Sequence, residues 1–509
     1  MTEMISALEA AEKWGISKRR VQKLCSDGRI FGSKKVGNAW QVPSSAPKPF
    51  DGRADRYRGS VSISNEPVLT SIDLFSGPGG LATGFRWAGI KALIAVEWSD
   101  WTVKTYSRSH NAEIFELDQY LSTPSYIEPF LCPSSRTLLI HGDINKVEGA
   151  LIKRVLRERF GRSTVDVVTG GAPCESFSMA GDRKEVDDRN HLYQNVLRIA
   201  REVDSRMFIF ENVKGLFSKK MDGKPGAMYQ AICDEFESED ESCPGVKFRL
   251  ASREKSDVLL FAPSYGVPQA RERLFLVGLN EEESNLHFEY PIGGFGPGKP
   301  YPFVSVSDAI SDLPSVEVGC ECNKYRFNIE GVEHGTARSL FLRRMRGDLS
   351  MPPDHLDFDE STLTSHKAPG HTKKMIERIK RIKRGENMKT ASQRLVSEGR
   401  ESEVADYFPN KIYAARNRRL RLDCPSFTVT SHCLDEMIHP TANRGLSPRE
   451  AARLQSFPDW YIFEGPYVKF HSDPDQDQYE QIGDAIPPLL AYALGKQVAE
   501  SLVGLGKEA

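Results

Sequence analysis

One pattern recurs along this chain: a short β-branched or aromatic run that stops abruptly in small, polar or charged residues. Ser71-Ile72-Asp73-Leu74-Phe75 runs into Ser76-Gly77-Pro78-Gly79-Gly80-Leu81-Ala82. Val165-Asp166-Val167-Val168-Thr169 leads to Gly171-Ala172-Pro173-Cys174, and Met207-Phe208-Ile209-Phe210 to Glu211-Asn212-Val213. Short runs of this kind read as strands of a parallel sheet buried between helices, and doubly wound sheets bind ligands outside the carboxyl ends of their strands. The pattern therefore predicts an α/β fold that brings a thiol, Cys174, and a carboxyl group, Glu211, to one crevice. A lone cysteine is more often an inert buried side chain. A third strand, Leu274-Phe275-Leu276-Val277-Gly278, is entered through Gln269-Ala270-Arg271-Glu272-Arg273, and alternate residues of an extended segment point the same way. Taken alone, these arginines fit a salt-bridged strand edge as well as a site.

The glycine segment after the first strand allows a tight turn and close backbone approach of a ligand at a helix start. It satisfies the dinucleotide fingerprint with Ala82 in the last place, and Glu97, at the end of the next strand, suits ribose hydroxyls. Glycines alone do not separate a nicotinamide cofactor from S-adenosylmethionine. Further on, Ser447-Pro448-Arg449-Glu450 reads as a helix start with proline at its first position. The apolar stretch Leu489-Leu490-Ala491-Tyr492-Ala493-Leu494 is expected to pack back on the sheet near the glycine turn.

Taken in order, these segments resemble the DNA (cytosine-5) methyltransferase family. The resemblance rests on Asp73 to Gly80, Glu97, Gly142-Asp143-Ile144, Pro173-Cys174, Glu211-Asn212-Val213 and Gln269 to Arg273, then on Arg449 to Asp459 and Gln481 to Pro488. It spans residues from about 68 to the end, apart from a long stretch between the arginine motif and Pro425. It implies a Rossmann-like S-adenosylmethionine-dependent methyltransferase sheet with an inserted target-recognition domain, acting on carbon 5 of a cytosine flipped out of double-stranded DNA. Cys174 then resembles the nucleophile that adds at carbon 6, Glu211 the group that holds or protonates ring nitrogen 3, and Arg271 and Arg273 orienting cations. S-adenosyl-L-methionine would be held by Asp73, Phe75, Gly77, Gly79, Gly80, Leu81, Glu97, Trp98, Asp143, Ile144, Pro173, Asp484 and Ile486. The polar loop Glu175 to Lys184, ending near Arg189, suits a cover that closes on DNA phosphates, with Ser178, Arg189 and Gln269 as DNA contacts. Three residues depart from the family pattern: Glu175 replaces a usual glutamine, Asp484 a usual asparagine and Ser205 a frequent proline.

A net charge of −2 over 509 residues looks unsuited to DNA, but its distribution answers the objection. The first sixty residues hold about twice as many basic as acidic side chains, and residues 366 to 422 between two and three times as many. The second excess includes Lys373, Lys374, Arg378, Lys380, Arg381, Lys383, Arg384, Arg416, Arg418, Arg419 and Arg421, within the stretch where the family keeps its recognition region. Such a cluster would supply phosphate affinity independent of sequence. Residues 5–14 and 17–25 read as two short helices, and Gly28 to Pro43 as a hairpin or wing. This resembles the winged helix-turn-helix of excisionase and MerR-type proteins, with Lys18, Arg19, Arg20 and Lys23 placed to enter a major groove or to dock a protein.

The expected organisation is a winged helix-turn-helix over 1–46, a linker over 47–66, the catalytic domain over 67–290, target recognition over 291–425 and the rest of the catalytic domain over 426–509. No run of about 18 apolar residues suggests a membrane span, no signal peptide is indicated, and nine cysteines without regular pairing suit a reducing cytosol. Cys320 and Cys322 lack the spacing that completes a zinc site, so no metal is expected. The expected setting is bacterial, cytoplasmic and nucleoid-associated, as a monomer on DNA, with cognate restriction or defence proteins as possible partners. Two other readings stay open: an RNA cytosine methyltransferase, and a DNA-binding regulator built on a degenerate methyltransferase fold.

Overall fold

The computed structural model describes residues 4–14, 18–26, 30, 33–37, 39–44, 69–172, 192–221, 223–238, 245–327, 332–356, 358–359, 361–469, 473 and 475–504. Pro173, Cys174, Ser178 and Arg189, the side chain of Arg20, and the expected linker lie outside them.

Nine strands form the central sheet among these residues. They are β1 (Leu69–Leu74), β2 (Ile90–Glu97), β3 (Glu113–Glu116), β4 (Leu138–His141), β5 (Val167–Gly170), β6 (Met207–Val213), β7 (Phe248–Leu250), β8 (Leu259–Phe261) and β9 (Glu272–Asn280). Their order across the sheet is β7-β9-β6-β5-β1-β2-β4-β3, with β8 also paired to β9. Strands β1 to β6 pair in parallel, whereas β9 runs antiparallel to β6, β7 and β8. The chain winds outward from β1 in both directions, so the switch point, and the crevice it opens, lies at the carboxyl ends of β1 and β5.

Both faces of the sheet are covered, which is why the central strands β1, β5 and β6 are buried along nearly their whole length rather than at alternate positions. Val168, Phe208 and Phe210 enter one core with Leu151, Ile152 and Val155 of helix α3 (Gly149–Phe160) and Val196 and Ile199 of α4 (Gln194–Glu202). Val167, Met207 and Ile209 enter the other, with Leu81 and Phe85 of α1 (Gly80–Trp87) and Leu490 and Leu494 of α7 (Pro488–Gly504). Helix α7 packs on α1 as expected; Gly84 has no room for a side chain because Ala491 and the Tyr492 backbone stand against it. Helix α5 (Pro448–Leu454) starts as its sequence suggests. Ser447 accepts the Glu450 N–H at 3.1 Å, and the Glu450 carboxylate returns to the Ser447 N–H at 2.8 Å.

The stretch 291–425 is not uniform. Val304, Val306, Ala309, Phe341, Met345 and Leu363 share the core on the α1 side of the sheet. Helices Lys373–Lys380, Met388–Ser397 and Glu401–Tyr407 instead surround a small core of their own built on Ile379, Ile382, Met388, Leu395 and Phe408. Toward the N-terminus, helices Ala7–Trp14 and Lys18–Ser26 pack on a three-stranded sheet of Met4–Ser6, Ala39–Pro43 and Lys34–Val36. The first helix was expected to begin at Ile5. Ile5 instead lies in a strand opposite Val42, and Ser6 with Glu9 forms a capping box that starts the helix at Ala7. No helix among the described residues is long and apolar enough to cross a membrane.

Candidate active site

The cleft begins at Asp73, buried near the end of β1 and paired across the sheet with Thr169 of β5. The Thr169 hydroxyl donates to Asp73 Oδ1 at 2.9 Å, and Oδ2 meets no hydrogen-bond donor among the described residues. Burial raises this carboxyl to a pKa of about 7, against the pull of Thr169, and nearby Glu97 adds to the rise. The chain then turns sharply: Phe75 takes φ +52° and Gly79, the N-cap of α1, φ +96°. The turn is tied to β2 by the Ser76 N–H donating to the Val96 carbonyl at 3.1 Å.

Glu97 ends β2 facing this turn. One carboxylate oxygen accepts the Gly77 N–H at 2.8 Å, and the other accepts the N–H groups of Trp98 and Ser99 at 2.9 and 3.1 Å. Burial pushes its pKa up, while these amides pull it down. The carboxylate therefore fixes the glycine turn and keeps about one of its four lone-pair sites to offer. Beside it Trp98 is 56% exposed, an unusual state for tryptophan and a surface on which a flat ligand can stack. Asp143 caps a short helical turn by accepting the Asn145 N–H at 3.0 Å, and Ile144 is buried beneath it. Leu81 is buried in the first turn of α1, and the Ile486 carbonyl lies over Gly80 so closely that a Cβ there would overlap it. Asp484, exposed at the end of helix α6 (Gln478–Asp484), accepts from the Gln476 amide at 2.8 Å.

The second half of the site lies on β6 and β9. Their antiparallel register sets Arg273 opposite Val213, and thus diagonal to Glu211 on the same face. Arg273 Nε reaches Glu211 Oε1 at 2.8 Å. Glu211 Oε2 faces the backbone of Gly171, where a Cβ would stand 2.8 Å away. Glu211 thus lies beside the segment that leads, three residues later, to Cys174. Burial raises the Glu211 pKa, and Arg273 and then Arg271 counter it. Arg271 is fully buried and donates to the Val429 carbonyl at 2.8 Å.

Gln269 was expected at the DNA. It is 0% exposed, donates to the Leu454 carbonyl at 3.0 Å and to Gln455, and accepts the Val429 N–H at 2.9 Å. Its amide ties the entry to β9 to the returning C-terminal segment. Ser205, the third departure from the family pattern, is buried and donates to the Met207 carbonyl at 3.0 Å. The basic excess of 366–422 also divides. Arg381 pairs with Glu377 and Glu403, Arg394 with Glu386 and Glu398, and Arg418 with Glu436. Arg419 is buried with its guanidinium on the carbonyls of Ile379, Ile382, His439 and Ala442. Lys373, Lys374, Arg384 and Arg416 are exposed. Two residues next to the cleft had no sequence signal: His110 and Tyr461, which meet beneath the glycine turn.

The C-5 cytosine-specific DNA methylase family matches residues 69–127 and 135–500, leaving the N-terminal module outside the match. Type II methyltransferase M.AgeI of Thalassovita gelatinovora is 31% identical over 84% of this chain and 99% of its own length, and M.DdeI of Desulfomicrobium norvegicum 29% identical over 85% and 88%. M.Eco47II of Escherichia coli is 24% identical over the whole of this chain and 98% of its own. The crystal structure of a prophage-encoded Escherichia coli chain assigned as a DNA modification methyltransferase shares the fold, with a TM-score of 0.56 and 22% identity over 85% of this chain and 99% of that one. With buried carboxyl groups gathered at the switch point and a family match over most of its length, the chain belongs to the C-5 cytosine-specific DNA methylase family and is a DNA cytosine-5 methyltransferase.

Proposed function

We propose that the chain uses S-adenosyl-L-methionine to methylate carbon 5 of a cytosine turned out of a specific duplex sequence, as the protecting half of a restriction or other phage-defence system. The observation that carries this reading is the Glu211–Arg273 pair, set against Gly171, two residues before Pro173 in the sequence, and across the switch point from the glycine turn. The site fits the cofactor: a buried Asp73 oxygen with no donor among the described residues, a carboxylate at Glu97 with a lone-pair site to spare, and rings at Phe75 and Trp98. Those residues, with the turn from Gly77 to Leu81 and with Asp143, Ile144, Asp484 and Ile486, would hold it. When bound it supplies an electrophilic methyl group.

The chain's own residues supply the rest. Carbon 5 of cytosine is a weak nucleophile. The Cys174 thiolate forms a bond to carbon 6, and the displaced ring electrons flow toward carbon 5 and nitrogen 3. An unperturbed thiol with a pKa of about 8.5 is mostly protonated at neutral pH, so it must give up its proton as the base is bound. Glu211, raised by burial, holds a proton toward nitrogen 3, and Arg273 fixes the direction of its carboxyl group. Once carbon 5 carries the methyl group, a water molecule takes its proton, the carbon–hydrogen electron pair re-forms the carbon 5–carbon 6 double bond, and the carbon–sulfur bond breaks to release the thiolate. The base must leave the helix because the thiolate approaches from above the ring plane.

The N-terminal module adds a second DNA contact: Lys18, Arg19, Lys34 and Lys35 are exposed on its second helix and wing. Bisulfite sequencing of DNA from cells expressing the chain is expected to reveal one methylated motif. Cys174→Ser should lower methylation below about one per cent, a barrier increase of roughly 3 kcal/mol, because an alcohol cannot replace the thiolate. Methylation retained by the serine variant contradicts covalent catalysis.

A further inference from the structure

We propose that His110 and Tyr461 are positioning residues that set the glycine turn for the cofactor, an inference that rests on the S-adenosyl-L-methionine reading above. The two side chains come from the end of helix α2 (Asp100–His110) and from a C-terminal segment 351 residues away, yet converge on two successive carbonyls. The Tyr461 hydroxyl donates to the Pro78 carbonyl. The Thr83 hydroxyl donates to the Gly79 carbonyl at 2.8 Å, and His110 Nε2 lies 3.2 Å from that oxygen. Nε2 also lies 3.2 Å from the Tyr461 oxygen and 3.4 Å from that of Thr83. Since both hydroxyl protons are committed to carbonyls, every partner of Nε2 offers it a lone pair, which assigns the ring proton to Nε2. Desolvation and the nearby Arg86 keep the ring neutral.

This arrangement dictates the turn. A Cβ on Gly79 would stand 2.8 Å from both the Tyr461 hydroxyl and His110 Cδ2, so only glycine fits between them. The Gly79 carbonyl also accepts the Thr83 N–H at 2.9 Å as the first helical bond, so clamp and helix hold it together; across the trans Gly79–Gly80 peptide the Gly80 N–H points the opposite way, in the first helical turn where amides lack helical partners. The clamp is itself held rigidly. Arg449 donates to the Tyr461 carbonyl at 2.6 Å and to that of Pro458 at 3.2 Å, and the Tyr461 ring packs 4.7 Å from Phe457. His110 packs 4.5 Å from the Tyr106 ring. Neither side chain is placed to touch the reacting atoms, so the effect belongs to cofactor affinity rather than to the chemical step.

Three variants of the full chain test this by calorimetric titration with S-adenosylhomocysteine, steady-state kinetics and duplex affinity. Tyr461→Phe removes only a hydroxyl, His110→Leu removes the donor, and His110→Gln returns one near Nε2. Tyr461→Phe and His110→Leu are expected to bind about tenfold more weakly with KM for the cofactor rising in parallel, kcat and duplex affinity staying within about twofold, and His110→Gln recovering most of the loss. Cofactor affinity within about twofold of the parent for Tyr461→Phe overturns the proposal, as does a fall in kcat and duplex affinity alongside it. Should His110→Leu not fold, Tyr461→Phe decides alone. A parent chain that takes up no S-adenosylhomocysteine overturns the cofactor reading itself, and this inference with it.

Discussion

At the scale of the residue, the site relies on carboxyl groups kept in unusual states by burial. Asp73 shows the consequence most simply, because its folded pKa of about 7 exceeds the ordinary aspartate value. The folded chain therefore binds this proton more tightly than the unfolded chain, and the contribution to stability is full below the unfolded pKa of about 4 and lost as pH rises through 7. Without ligand, denaturant titrations should show parent stability falling between pH 5 and 8 relative to Asp73→Asn, by at most roughly 3 kcal/mol. Equal pH slopes for the two chains would contradict a buried, protonated Asp73. Glu211 faces the same desolvation, which raises its pKa, while Arg273 and Arg271 beside it pull the other way.

At the scale of the element, strand ends and helix starts were legible where the signal is local. The run Met207 to Phe210 followed by Glu211, and the Ser447-Pro448 start, stand in the structure as their sequences suggest. Ser6-Ala7-Leu8-Glu9 carried an equally local capping signal, which the reading of one helix from Ile5 overlooked. Other features depend on partners far away in sequence. Lys373 and Arg419 look alike in a count of charges, yet one is exposed and the other is buried against backbone carbonyls. Gln269 reads as polar and available, but its partners are Leu454, Gln455 and Val429, more than 150 residues on. His110 and Tyr461 belong to no shared motif and meet only after the C-terminal segment returns. A direct consequence separates the two kinds of cation. The double variant Lys373→Gln, Lys374→Gln should reduce the salt dependence of duplex affinity by up to about 2 in slope, with thermal stability unchanged. Arg419→Met should leave that slope alone and lower stability by roughly 3 kcal/mol, because five acceptors lose their donor. The reverse assignment of effects would refute the division.

At the scale of the whole molecule, three bodies of contact divide the labour. The sheet with its two cores builds the cleft, the helices between Lys373 and Tyr407 form a separate small core with exposed cations, and the N-terminal module has a core of its own. Because the family match begins at residue 69, a chain starting near residue 66 should methylate the same motif with weaker, less salt-dependent duplex binding. Methylome sequencing and a salt series on both lengths check this; a changed motif would mean that the module reads bases for the enzyme, and an unchanged salt slope that it docks something other than DNA. Methyl transfer in the proposed mechanism depends on attack of Cys174 on the cytosine ring beside Glu211 and Arg273. Incubation of the chain with S-adenosyl-L-methionine and a duplex carrying 5-fluorocytosine in the methylated motif tests it directly, because fluorine cannot leave as the proton does. Mass spectrometry of the denatured mixture should show the duplex joined to the chain through Cys174, and no adduct with Cys174→Ser; a parent chain that binds and methylates the ordinary duplex yet forms no adduct with the fluorinated one would contradict the account.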